Sequence, residues 1–133
     1  MIDVRYDQNN PQKKVVATTQ LGIVQSNPNQ HYIHVGFSAG GYPATYVANN
    51  TPNQTTGLVL IDPNLESADD TLTVTIDPAK LFMALPGIPQ NSQPPTFYFA
   101  IDGSDPNLIH TQLSVNNEVN EAIFNFIITL INK

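Results

Sequence analysis

The chain has 133 residues, 41% of them hydrophobic, and a formal net charge of −6, which describes one domain with a core of its own. Five Lys and Arg, with Lys13-Lys14 the sole basic pair, exclude a nucleic-acid binder, and the lack of cysteine excludes a disulfide framework or a thiolate zinc site. The start carries no signal-peptide pattern, and no apolar run approaches the length of a membrane span, so direct membrane insertion is not expected.

Polarity comes mostly from uncharged groups. The 15 Asn and 9 Gln outnumber the 16 charged side chains, and with 11 Pro they make a composition of turns, strands and amide-rich surfaces suited to permanent packing against neighbours.

In chain order, residues 1–14 read as a polar N-terminal arm with a turn at Asn9-Asn10-Pro11. Between Val15 and Val24, the set Val15, Ala17, Thr19, Leu21 and Ile23 alternates as a strand does, while Val15, Val16, Thr19 and Ile23 fit a helix face; Thr, Gln and Gly22 favour the strand. His31 to Ser38 alternates cleanly, with Ile33, Val35 and Phe37 opposed to Tyr32, His34, Gly36 and Ser38. His34 fits a half-exposed antiparallel strand better than the centre of a parallel sheet. Two glycines, two tyrosines, Thr45 and Val47 make the stretch from Gly40 to Asn50 a poor helix, and Tyr42, Ala44, Tyr46 and Ala48 also alternate. Asn49-Asn50-Thr51 and Asn53-Gln54-Thr55 are formal glycosylation sequons of a kind that an Asn/Thr-rich chain produces by chance.

Leu58 to Ile61 is a buried strand, closed by the turn Asp62-Pro63-Asn64. Thr71 to Asp77 is the plainest strand of all, with Leu72, Val74 and Ile76 on one face. Lys80 to Leu85 is a short apolar run, Thr96 to Ile101 alternates aromatic residues, and Leu108 to Val115 alternates again. Residues 119–131 carry both a helical stripe and a strand face, and the Ile, Phe and Thr content favours the strand. Seven or eight short strands with Pro, Asn, Asp and Gly turns predict an all-β fold, an antiparallel β-sandwich of jelly-roll type, in a single domain spanning 1–133.

Chemistry centres on Gly36-Phe37-Ser38-Ala39-Gly40, a G-x-S-x-G motif. With the Ala-rich spacer and Gly57-Leu58-Val59-Leu60-Ile61-Asp62-Pro63, it resembles the nucleophile region of the α/β-hydrolase family, and Asp3-Val4-Arg5 is similar to the loop before that region. The resemblance implies Ser38 as nucleophile, the Ala39 amide as an oxyanion donor, Asp105 or else Asp102 as the acid, and His110 as the base. It implies an α/β, partial hydrolase-like sheet and a serine esterase, cytoplasmic or secreted. Only 37 residues precede Ser38, and His110 follows Asp105 by five, both short for that family.

A second resemblance covers more of the chain. Leu58 to Asn64, the Thr71 to Asp77 alternation, Leu85-Pro86-Gly87 with Asn91-Ser92-Gln93, the aromatic run from Thr96, and Phe124-Asn125-Phe126-Ile127 resemble the small single jelly-roll proteins of icosahedral virions, the penton or vertex proteins of tailless phages in particular. It implies a non-enzymatic structural subunit of a virus or phage particle, located in the virion. Such a subunit packs against major capsid protein and copies of itself, with loops or arm on a spike, and this is the favoured reading. No cofactor is expected. Asp69, Asp70, Asp102 and Asp105 lack EF-hand spacing for Ca²⁺, and His31 and His34 fall on opposite strand faces, so no metal site is expected either.

Overall fold

The continuous apolar run before Asp62 forms the most buried strand of the protein, with Leu58, Val59 and Leu60 all fully buried. In a strand so placed both faces must be covered, which calls for a sheet with a layer on each side. A computed structural model describes residues 12–133 and shows this arrangement. Asp3-Val4-Arg5, the Asn9-Asn10-Pro11 turn and the arm before Gln12 lie outside the described residues.

The elements are α1 (Gln12–Gln25), β1 (Tyr32–Phe37), a 3-10 turn (Ser38–Gly40), α2 (Gly41–Asn50), β2 (Thr55–Ile61), β3 (Leu81–Pro86), β4 (Thr96–Phe99), α3 (Pro106–Val115) and α4 (Asn117–Ile131). The strands form one sheet in the order β1-β2-β3-β4, and every adjacent pair is parallel. The expected antiparallel jelly-roll sandwich is therefore overturned: the fold is α/β.

On one face Leu58, Leu60 and Leu81 pack with Ala44 and Ala48 of α2 and with Ile76, and α1 lies against α2. On the other, Val59, Ile61, Phe82 and Ala84 pack with Leu113 of α3 and Val119 of α4, flanked by Phe97, Phe99, Ile123 and Phe126. Each fully buried Leu or Val here contributes about 1.5–3 kcal/mol by leaving water, more than the few tenths by which β-branched residues disfavour a helix. That difference explains why four segments with strand-like alternation (15–24, 42–48, 108–115 and 122–131) are helices. A parallel sheet needs layers on both faces, and helices supply them.

Local signals support the outcome at two of these sites. Asp105 caps α3 by accepting from the Asn107 N–H at 2.9 Å, with Pro106 in the first turn, and Asn116 caps α4 by accepting from the Val119 N–H at 3.1 Å. Residues 119–131, which carried both patterns, use the helical stripe: Val119, Ala122, Ile123 and Phe126 face the sheet.

The segment from Thr71 to Asp77, expected as a strand, is irregular and makes only an isolated bridge at Thr71. Its backbone is bonded instead by one side chain, since the Asn49 amide donates to the Thr73 carbonyl at 2.7 Å and accepts from the Thr75 N–H at 2.9 Å. His34 lies on β1, which pairs only with β2 and so is a sheet edge, yet its Nε2 is buried with no hydrogen-bond partner among the described residues. Burial pushes its imidazole below the usual 6.5, which favours the neutral ring.

The turn after β1 is packed too closely for side chains at two points. A Cβ on Gly36 would lie 2.6 Å from the Gly40 carbonyl oxygen, and one on Gly41 would lie 2.6 Å from the Pro63 Cβ, whereas one on Gly40 would meet open space. Gly36→Ala and Gly41→Ala are expected to lower the unfolding free energy by about 1–3 kcal/mol each. Gly40→Ala, at a helical φ of −67°, should be neutral or stabilising by up to about 1 kcal/mol. Urea unfolding of the three variants checks the ranking.

Candidate active site

Phe37 and Ile61 are register partners, so β1 and β2 end side by side. The next residues, Ser38 and Asp62, therefore leave the sheet together at its carboxyl edge, where open α/β sheets place their ligands. Both sit in the left-handed region, Ser38 at φ 56° and Asp62 at φ 42°. That conformation costs a residue with a Cβ roughly 1–2 kcal/mol and is held only where surrounding bonds enforce it. Here the Asp62 N–H donates to the Ala84 carbonyl at 2.8 Å, and the Asn64 N–H donates to the Ser38 carbonyl at 2.8 Å.

Ser38 opens the helical run that continues through α2. The Ala39 N–H thus lies in a first turn, where amides have no partner within the helix and favour negative charge. Ser38 itself is buried, with 4% of its surface exposed.

His110 comes from α3. Its Nδ1 donates to Asp62 Oδ2 at 2.5 Å, and its ring stacks on Phe37, the residue before Ser38, with centroids 4.9 Å apart. Among the described residues no hydrogen bond joins Ser38 to His110. Such bonds often tighten only when substrate binds.

Of the residues singled out in the sequence, Ser38 and His110 are thus brought to one edge of the sheet. Asp105 is engaged in capping α3 through the Asn107 N–H, and Asp102 lies on an exposed loop. The carboxylate on the His110 ring is Asp62, which sequence reasoning assigned to a turn. No local pattern marks it: Asp62 reaches His110 only because β1 and β2 end in register at Phe37 and Ile61.

Among the described residues, no group of three or more His, Cys, Asp or Glu side chains is placed to hold a metal ion. Asp70 has other partners, accepting from Tyr42 Oη at 2.6 Å and Ser67 Oγ at 2.5 Å, with Lys14 Nζ at 3.4 Å. No described helix is long and apolar enough to cross a membrane. Compared with protein-family models, curated proteins and solved structures, the chain matches none.

Two outcomes follow from this geometry. Only glycine sheds left-handed strain, so Ser38→Gly should be about 1 kcal/mol more stable than Ser38→Ala in denaturant unfolding. For Asp70, the hydroxyls of Ser67 and Tyr42 and the nearby Lys14 hold the carboxyl below its usual 3.8. Its contribution is full above that value and is lost as pH falls through the lowered one. Asp70→Asn should therefore cost about 1 kcal/mol at pH 7, a modest figure because the pair is partly solvated. Unfolding curves of parent and variant should converge only in acid below the ordinary carboxylate range.

Proposed function

We propose that the chain is a serine hydrolase acting on carboxylic esters, with Ser38 as nucleophile, His110 as general base and Asp62 as the carboxylate that orients it. The observation that carries this reading is the pairing of left-handed Ser38 and Asp62 at the ends of adjacent parallel strands, with the His110 ring on Asp62 and against Phe37. A strained serine on a strand-to-helix turn is the feature by which a nucleophile elbow is recognised.

In this mechanism Asp62 accepts from Nδ1 of His110, fixing the tautomer and stabilising the imidazolium that forms. The other ring nitrogen, Nε2, takes the proton as Ser38 Oγ attacks the ester carbonyl. The Ala39 N–H donates to the oxyanion, and His110 returns the proton to the departing alkoxide. Water then repeats the sequence on the acyl-enzyme, releasing the acid and restoring Ser38.

The virion building-block expectation drew on a sandwich of strands. Several of those segments are helices here, so the hydrolase reading has the stronger support.

A fluorophosphonate should label Ser38, with labelling abolished in Ser38→Ala. Asp62→Asn should slow labelling by about 10³- to 10⁴-fold, as expected for loss of the orienting carboxylate. Asp105→Asn keeps a side-chain oxygen to cap α3 and should leave stability nearly unchanged, with labelling retained. Folded parent protein that resists labelling would remove the reading, and strong loss in Asp105→Asn with none in Asp62→Asn would reassign the acid.

A further inference from the structure

Lys13 belongs to the sole basic pair in the sequence, and the hydrolytic mechanism makes no use of it. It has no exposed surface. A buried ammonium is tolerated only when its donors are paired, because its desolvation otherwise costs several kcal/mol, so the groups around it are held in place by that demand. Its Nζ donates to Asn64 Oδ1 at 3.1 Å and to the Glu66 carbonyl at 2.6 Å.

Asn64 links this charge to the site. Its side chain accepts from Lys13 and from the Glu66 N–H at 2.9 Å, while its own N–H donates to the Ser38 carbonyl at 2.8 Å. Asn64 also lies two residues after Asp62, across Pro63, whose Cβ packs on Gly41. One side chain thus anchors the segment that bonds to the Ser38 carbonyl and follows Asp62 by two residues.

We propose that Lys13 is a positioning residue, which acts through Asn64 to hold Ser38 and Asp62 in their reactive conformations. This rests on the hydrolase reading. Lys13 does not itself meet the substrate. Its role differs from that of Lys14, which sits by Asp70 and Tyr42 and ties down the outer part of the same loop.

The test measures p-nitrophenyl ester hydrolysis and the rate of fluorophosphonate labelling in folded Lys13→Met, Asn64→Ala and the double variant, with Asp70→Asn as control. A misplacement on the order of 1 Å costs up to about 100-fold in rate. Each single variant should therefore lose about 10- to 100-fold in kcat and in labelling rate, with KM within about twofold. The double variant should lose far less than the product of the two single losses, because both break the Lys13–Asn64 link. Asp70→Asn should keep its kcat.

Labelling of Lys13→Met at the parental rate, or a loss confined to KM, overturns the proposal. Should Lys13→Met not fold, labelling of Asn64→Ala at the parental rate overturns the proposal, since that variant removes the Lys13 acceptor and keeps the backbone N–H to Ser38. An unreactive parent protein defeats the hydrolase reading and this inference with it, whereas a reactive parent with parental-rate variants defeats this inference only.

Discussion

Strands β1 and β2 end at the same level, and the chain must reverse direction at both ends within one residue. In a parallel pair with Phe37 opposite Ile61, the two reversals fall side by side. Each is made by a residue with a Cβ in the left-handed region, Ser38 and Asp62. Two strained residues in contacting turns are stable only because their backbones are bonded outward, Asp62 to Ala84 and Ser38 to Asn64. Ser38 and Asp62 therefore share one edge of the sheet.

The remaining structure supports that edge in layers. Close approach at Gly36 and Gly41 brings the start of α2 against the strand end and against Pro63, so the Ala39 amide is carried by the same turn as the serine. On the opposite face, burial of Leu113 docks α3 on β2 and β3, and this docking brings His110 to Asp62. Phe37 completes the contact by stacking on the imidazole. Beyond the edge, Lys13 of α1 binds the loop after β2 through Asn64 and the Glu66 carbonyl.

Much of this was legible residue by residue, and the errors have specific causes. β1, β2, β3 and β4 coincide with apolar or alternating runs, and Ser38 and His110 are the nucleophile and base that the hydrolase resemblance implies. Asp62 was missed because Asp-Pro after a strand reads equally as a turn closing on its own backbone; the bond to His110 spans 48 residues, which no local pattern encodes. Leu108 to Val115 was read as a strand from its alternation, although Asp105-Pro106 is a helix start. Thr71 to Asp77 shows the opposite case: the alternation is real, but the segment joins no strand of the sheet, and the Asn49 amide bonds its Thr73 carbonyl and Thr75 N–H.

By itself the sequence determined where apolar runs begin and end, that Gly36 and Ser38 belong to a G-x-S-x-G motif after an alternating run, and that Leu58 to Ile61 is a buried strand. These are local properties of side-chain size, polarity and backbone freedom. Tertiary structure alone decided that the sheet is parallel, which of two periodicities each ambiguous segment uses, and that Asp62 rather than Asp105 meets His110. A segment carrying both the 2.0 and the 3.6 pattern has nearly equal local preference for strand and helix. The balance is settled by which apolar face the neighbouring layer buries.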